Sequence, residues 1–318
     1  MGNNNEYNAT ISNENFTEFC ELNPIIKSNN KYLGAFYKNM FKIYNINPQD
    51  FSLTLDKSFR CNTNINYLDF NPDYPEILMS ALDDGDIKLY NISDQINYNK
   101  EISIFRGHSS SVKFASFNPE QSNIVVSSDN NCIKLWDISQ YSHEFNIVHK
   151  NNIDNLKWNY SGDKYGYINK GYELIINRTE NNIDLFTIKY KYKDNYSYIK
   201  DFLFIGYHRL LTFHDEFINI WDMTNTIKPI NSYSIEFFKY LYDKDLNYFY
   251  TIKRNKIDIY KPTDFTNKIQ ELDLANFPNS INLHNMSKLN SFLNLPKLYF
   301  LNGHLINFIF KIIITINL

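Results

Sequence analysis

A short pattern, an apolar residue followed by Trp, Tyr or Asn, recurs six times at a nearly constant interval. Successive copies are separated by 39 to 46 residues, with the second residue of the pattern at Tyr44, Tyr90, Trp136, Asn177, Trp221 and Tyr260. A period of about 40–45 residues is that of one four-stranded blade in a ring of small sheets. The repeat therefore constrains the chain to an array of antiparallel β units.

A second marker recurs in the same phase. Asn-Pro occurs at Asn23-Pro24, Asn71-Pro72 and Asn118-Pro119, and Asn159 takes the corresponding place in the next copy. Proline fixes φ and restricts the residue before it, so each pair predicts a turn. Each marker follows an apolar stretch that predicts a strand, at 19–22, 68–70, 114–117 and 156–158. Together the markers place six repeats at about 15–60, 61–100, 101–145, 146–190, 191–230 and 231–265.

The third copy is the most complete and resembles a WD40 repeat, with Gly107-His108 before two strands and Trp136-Asp137 after them. The resemblance implies an all-β WD40 β-propeller. We predict seven blades, of which six are placed, in a single domain over 1–318. Residues 266–318 are divergent. They and residues 1–14 are the candidates for the closing blade.

The WD40 resemblance also implies buried polar anchors that fix each blade. His108 and Trp136 match the family positions, and Asp137, Trp221 and Asp222 match the Trp-Asp pair. The turn aspartate is expected six residues before the aromatic anchor, which selects Asp84 and Asp215. In the third copy that position is Asn130, with Asp129 one residue earlier, so an altered network is expected there. Because buried polar groups need partners, these residues are expected to be structural.

Composition and motifs point away from several functions. The net charge is −3 and no basic stripe suggests nucleic acid. The cysteines, Cys20, Cys61 and Cys132, lack metal-ligand spacing and suit reduced thiols. We find no phosphate-binding loop, nucleophile elbow or zinc-protease motif. We therefore expect no catalytic, cofactor or metal site. The histidine pairs, His143 with His149 and His208 with His214, are expected to be solvent-facing loop residues rather than zinc ligands.

The two ends of the chain differ in polarity, which bears on where the protein is expected to reside. The first residues, MGNNNEYN, are polar and lack the apolar core of a signal peptide, which favours the cytoplasm. Leu305–Leu318 is a 14-residue apolar run that contains Lys311. This run is shorter than the roughly 20 residues that span a bilayer. A closing strand pair is favoured over a membrane anchor, and a divergent terminus is the third alternative.

The order of several segments resembles the coronin family. They are a Phe-Cys-x-x-Asn-Pro opening and four later stretches, at Phe19–Pro24, Val112–Asp137, Asp154–Gly162, Arg209–Ile230 and Phe237–Tyr260. The resemblance implies binding to actin filaments, regulation of actin organisation and a location at the actin cytoskeleton or cell cortex. The chain departs from the family in having no Lys or Arg in residues 1–18. No coiled-coil heptads follow, so self-association by that route is not expected.

The alternative is a WD40 scaffold in a multiprotein complex unrelated to actin, such as a vesicle coat, a nutrient-signalling assembly or a ubiquitin ligase. In the ligase subset an Arg often stands two residues after Trp-Asp. Here those positions are Ser139 and Thr224, so the ligase variant is disfavoured.

Overall fold

A computed structural model describes residues 25–29, 31–47, 53–94, 100–139, 142–148, 153–180, 184–189, 191–192, 195–224, 228–235, 239–243, 247–252 and 256–273. The described chain forms two compact units, divided between Asn62 and Thr63. Every regular element in the described ranges is a β-strand. No helix among them is long and apolar enough to cross a membrane.

The described part of the first unit forms one antiparallel sheet, ordered β1-β2-β3-β4. Its strands are Ile25–Ser28, Tyr32–Tyr37, Met40–Ile46 and Leu53–Arg60. Leu33, Phe41 and Ile43 are fully buried in it, and the rings of Phe41 and Phe59 stack at 4.2 Å. Tyr44, the first copy of the repeated aromatic, is also buried.

The second unit contains five four-stranded antiparallel sheets, in which each strand pairs with the next along the chain. The second sheet of the protein has β5 to β8, at Ile65–Phe70, Ile77–Leu82, Ile87–Asn91 and Glu101–Phe105. The third has β9 to β12, at Phe114–Phe117, Ile124–Ser128, Cys132–Asp137 and Ser142–Val148. The fourth has β13 to β16, at Ile153–Trp158, Lys164–Asn169, Glu173–Arg178 and Asp184–Ile188.

The chain then forms a two-stranded ribbon, β17 (Lys191–Tyr192) with β18 (Asn195–Tyr196). The fifth sheet has β19 to β22, at Asp201–Ile205, Arg209–Phe213, Ile218–Asp222 and Asn231–Tyr233. The sixth has β23 to β26, at Lys239–Asp243, Tyr248–Ile252, Lys256–Lys261 and Asp264–Asp273.

The apolar core of the second unit lies between successive sheets. Val126 and Leu135 of the third sheet pack in one cluster with Ile153 and Tyr165 of the fourth. Corresponding clusters join the second sheet to the third, the fourth to the fifth and the fifth to the sixth. The third, fourth and fifth sheets are covered on both faces by these clusters, so their middle strands are largely buried, as in β20, where only Arg209 is exposed.

The Asn-Pro marker links one sheet to the next. The side-chain carbonyl of Asn118 accepts backbone N–H bonds from Glu120 and Gln121, each at 3.0 Å. Its amide donates to the carbonyl oxygen of Gly162 in the following sheet, at 2.9 Å. Asn71 makes the same turn and donates to the carbonyl of Ser122. A buried asparagine satisfies a turn and an inter-sheet bond together, which explains why the marker repeats.

Two residues of β13 add polar links between sheets. The indole N–H of Trp158 donates to the carbonyl of Ser116 in the third sheet, at 3.1 Å. The ammonium of Lys157 donates to Asp201 Oδ1 in the fifth sheet, at 2.6 Å. Innermost strands are therefore joined by hydrogen bonds as well as by apolar packing.

The sheets confirm the predicted strands at 68–70, 114–117 and 156–158, and they correct several repeat boundaries. β8 pairs with β7, so the second sheet extends beyond residue 100. The third sheet runs from Phe114 to Val148 and the sixth ends at Asp273, beyond the predicted limits of 145 and 265. The physical reason is an offset of one strand, because the Gly-His signature follows the outer strand of the preceding sheet.

Several predictions concern residues outside the described ranges. These are the 19–22 strand with Asn23-Pro24, Cys20, His149, the apolar run 305–318 and the candidates for a closing blade, except that residues 266–273 are described and belong to β26 of the sixth sheet. Seven blades in a single domain likewise remain a prediction.

A glycine pair tests the inter-sheet asparagine link. Gly162 has φ +64°, and a Cβ there would stand 2.0 Å from Asn118 Oδ1. Gly206 has φ +56°, but its Cβ would meet nothing within 4 Å. Gly206→Ala should lower the free energy of unfolding by about 1 kcal/mol through backbone strain, and Gly162→Ala by about 3 kcal/mol or more. Chemical denaturation measures both. Equal losses would contradict a close asparagine contact.

Candidate functional site

A chain of buried polar groups crosses the third sheet. The indole N–H of Trp136 donates to Ser127 Oγ at 2.7 Å, and His108 Nε2 lies 2.7 Å from the same oxygen. His108 Nδ1 lies 3.2 Å from Asp129 Oδ2, with both side chains almost fully buried. Asp129 Oδ1 accepts the backbone N–H groups of Asn131 and Cys132. The loop before β9, the middle strands and the β10–β11 turn are thereby tied together.

The hydrogen-bond directions fix the state of His108. Because the Asp129 carboxylate can only accept, the proton of the neutral ring lies on Nδ1, facing Asp129, and the Ser127 O–H donates to Nε2. Burial lowers the pKa of His108 to about 4, against the partial opposition of Asp129. The imidazole is therefore neutral at physiological pH. Its contribution to stability is complete above about pH 6.5 and is lost as the pH falls towards 4.

The fifth sheet contains a second chain of the same kind. The indole N–H of Trp221 donates to Thr212 Oγ1 at 2.9 Å, and this hydroxyl lies 3.0 Å from His214 Nε2. His214 Nδ1 lies 3.0 Å from the carbonyl oxygen of Tyr198, to which it donates. Burial lowers the pKa of His214 to about 4 as well. The histidine is supplied here by the β20–β21 turn, whereas His108 comes from the loop before β9.

A cleft lined by three tyrosines opens among the turns of the second unit. Its volume is about 480 Å³. Five turns line it: β9–β10, β13–β14, β19–β20, β23–β24 and β25–β26. The lining residues are Glu120, Tyr160, Ile205, Gly206, Tyr207, Arg209, Tyr242, Asn247 and Thr263. Tyr207 is 73% exposed at the tip of its turn. The rings of Tyr160 and Tyr242 lie 6.2 Å apart, and the Tyr242 hydroxyl donates to Asn247 Oδ1.

The described part of the chain contains no group of three or more His, Cys, Asp or Glu residues placed to hold a metal ion. Cys61 and Cys132 are free thiols, the first buried and the second half-buried. Burial raises the pKa of the Cys132 thiol, with a smaller contribution from Asp129. This thiol therefore stays protonated and unreactive at neutral pH.

Comparisons with known proteins agree with this geometry. Residues 99–137 match the family model described as WD domain, G-beta repeat. They run from just before β8 to the end of β11 and include His108, Ser127, Asp129 and Trp136. This part of the chain is thus similar to one WD40 repeat.

Two further similarities are more limited, the first in the length of chain that matches and the second in sequence identity. An 84-residue stretch is 34% identical to the protein transport protein SEC31 of Saccharomyces cerevisiae. It covers 26% of this chain and only 6% of the yeast protein. The crystal structure of the WD40 domain from Toxoplasma gondii coronin aligns with a TM-score of 0.62 at 16% identity. That alignment covers 78% of this chain and 69% of the coronin domain, and it shows a shared all-β WD40 propeller fold.

The turn residues do not follow the six-residue spacing that the WD40 resemblance implies. Asp129, not Asn130, contacts His108. In the fifth sheet the predicted Asp215 is exposed and pairs with Lys200, and His214 takes the buried place. The prediction that His214 faces solvent is therefore wrong, whereas His208 is exposed. In the second sheet Asp84 accepts the backbone N–H of Asp86, and its neighbour Asp83 accepts from Asn66 and Ser111.

The hydroxyl anchors were not predicted from the sequence. Ser127 and Thr212 each stand nine residues before the tryptophan, and that spacing was the available signal. Ser80 and Thr251 occupy the same register position, because each pairs with the residue two before Tyr90 or Tyr260, as Ser127 and Thr212 do relative to the tryptophans. Both hydroxyls are buried, and neither has a hydrogen-bond partner among the described residues. Tyrosine lacks the indole N–H, so these two copies keep the hydroxyl and lose its donor.

The aspartates of the two Trp-Asp pairs hold the turns that follow them. Asp137 Oδ1 accepts from the backbone N–H and the hydroxyl of Ser139, at 2.9 and 2.6 Å. Asp222 holds Thr224 in the same manner, at 2.8 and 2.6 Å. Ser139 and Thr224, where the ligase subset often has Arg, thus serve as turn caps.

Proposed function

We propose that this WD40-repeat protein is a non-enzymatic scaffold that holds another protein in a cytoplasmic complex. The observation that carries the proposal is the cleft lined by Tyr160, Tyr207 and Tyr242. Tyrosine and arginine are enriched among residues that dominate binding energy at protein interfaces. A protruding Tyr207 beside Arg209 is therefore suited to a partner's surface, and the adjoining cleft of about 480 Å³ admits a side chain or a short segment.

The cleft is ordered before a partner arrives. Tyr242 is oriented by its hydrogen bond to Asn247, and Tyr160 packs beside it. The turn that presents Tyr207 depends on Gly206, whose φ of +56° suits glycine. Fixed side chains lose less conformational entropy on binding, so this arrangement favours affinity. Glu120 and Arg209 place opposite charges on the lining, which favours one orientation of the partner.

The local similarity to a protein transport protein supports a role in an assembly. The WD40 propeller architecture is used mostly to hold partners, and fold alone does not choose among them. The partner is therefore to be found by experiment at the cleft.

Two exposed tyrosines provide a matched test of the cleft. Tyr207 lines it, whereas Tyr74, which is 58% exposed on the β5–β6 turn, does not. Tyr207→Ala should weaken retention of the principal partner in quantitative affinity purification by at least about tenfold, which is the loss typical of an interface hot spot. Tyr74→Ala should retain it. Equal retention by both variants would place the interface elsewhere.

Actin filaments are the second candidate partner. The observation that favours them is the coronin-like order of segments, of which Val112–Asp137, Asp154–Gly162 and Arg209–Ile230 lie largely within the described sheets. The WD40 domain of a coronin also shares the fold. We infer that, if this likeness extends to function, the chain regulates actin organisation at the cell cortex.

Cosedimentation distinguishes the two candidates. A coronin-like activity predicts that the purified chain pellets with filamentous actin at low salt, and that added salt reduces pelleting because charged contacts are screened. Pelleting no greater than that of the chain alone at low salt would eliminate actin and leave the scaffold proposal standing.

A further inference from the structure

A second, narrower cavity lies between the third and fourth sheets, near the turns that follow β11 and β15. Its volume is about 190 Å³, and its lining includes Ile124, Leu135, Trp136, Asp137 and Glu180. Gln121, next to Glu120 of the tyrosine cleft, also lines it, so the two cavities adjoin along the β9–β10 turn.

The cavity is lined by acidic side chains and by apolar side chains. Leu135 and Trp136 are almost fully buried beneath it. Asp137 and Glu180 supply carboxylates, and no Lys, Arg or His is among the described residues that line it. No ion pair links either carboxylate to another described side chain. An acidic cavity without an internal cation is complementary to a positively charged ligand.

Asp137 contributes a carboxylate that is fixed in position by hydrogen bonds to only one of its two oxygens. The side chain belongs to a residue that is only 8% exposed. Its Oδ1 accepts from Ser139 and from the Asn123 amide, and these bonds hold its position. Its Oδ2 has no hydrogen-bond partner among the described residues. Hydrogen bonds from Ser139 lower the pKa of Asp137, so the group is ionised at neutral pH.

We propose that this cavity receives an arginine or lysine side chain of the partner protein, with Asp137 and Glu180 binding its charged head. The apolar stem of such a side chain packs well on Leu135 and Trp136, because long cationic residues bury their methylenes and keep the charge at a polar end. Arginine suits the site better than lysine, since its planar fork can bind a carboxylate through two donors. The identity of the ligand as part of a protein partner rests on the proposed scaffold function.

A small-molecule probe tests the cavity without the partner. N-acetyl-arginine amide is titrated into the full chain while the indole N–H signals of Trp136, Trp158 and Trp221 are followed by ¹H–¹⁵N NMR. We expect saturable shifts at Trp136 with a dissociation constant of about 1 mM or weaker, a scale typical of a ligand this small. Trp158 and Trp221 do not line the cavity and serve as internal controls. N-acetyl-citrulline amide, neutral but similar in shape, should bind at least fivefold more weakly.

A pair of isosteric variants identifies the carboxylate. Asp137→Asn retains an oxygen to hold the Ser139 turn but replaces Oδ2 with an amide, and it should weaken the arginine probe about tenfold. Asp222→Asn makes the same change in the equivalent turn of the fifth sheet, away from the cavity, and should leave probe binding unchanged. Similar binding of citrulline and arginine, or equal effects of the two variants, would overturn the proposal.

Retention of the partner by each variant in affinity purification distinguishes this inference from the scaffold proposal. Loss of partner with both Tyr207→Ala and Asp137→Asn supports both. Loss with Tyr207→Ala alone retains the scaffold and rejects the cavity as a partner site. Specific binding of the arginine probe without any retained partner would support the cation site and reject the scaffold proposal.

Discussion

The buried indole N–H of Trp136 is the constraint on which the third sheet depends. It donates to Ser127 Oγ in the neighbouring strand, at 2.7 Å. A donor left unsatisfied in the core costs about 1–3 kcal/mol, so this bond favours the register that presents the hydroxyl. The Ser127 hydroxyl then needs an acceptor for its own proton, which His108 Nε2 supplies. The proton on His108 Nδ1 in turn faces the Asp129 carboxylate. Each group positions the next, from the middle strands to the loops at the end of the sheet.

The fifth sheet satisfies the same constraint by another route. Trp221 and Thr212 repeat the indole–hydroxyl bond, and His214 from the β20–β21 turn replaces a histidine from the preceding loop. The acceptor of its ring proton is the carbonyl of Tyr198 instead of a carboxylate. Both solutions keep the imidazole neutral. The requirement is thus for a buried acceptor beside the hydroxyl, and the chain position of the histidine is secondary.

The sequence predicted the strands well, because period and alternation are local properties that packing rarely overrides. It also predicted the tryptophan anchors, whose side chains are large and distinctive. In the fifth sheet it selected Asp215, whereas the adjacent His214 is the buried residue, because the choice between neighbouring turn residues depends on the geometry of the turn. It assigned His214 to solvent for the same reason. The tyrosine cleft and the Asp137 cavity join residues from turns far apart in the chain, and a single sequence carries no signal of such proximity.

The rigid sheets explain how short turns present a binding surface. Asn71 and Asn118 join the turns of adjacent sheets, and Asp137 and Asp222 hold the turns after the Trp-Asp pairs. Glu120 therefore projects from a fixed position, and Tyr207 and Arg209 stand on the short β19–β20 connection beside it. The repeated polar anchors serve the fold, and the residues between them provide the chemistry available to a partner.

The central claim is that neutral, buried imidazoles complete the indole–hydroxyl chains in the third and fifth sheets. Titration of the folded protein by ¹⁵N NMR, with signals assigned from His108→Gln and His214→Gln samples, measures it most directly. We expect both rings to remain neutral, with the proton on Nδ1, down to the region of pH 4, where the depressed pKa values of about 4 lie. Protonation of either ring near pH 6.5 while the protein remains folded would contradict this account.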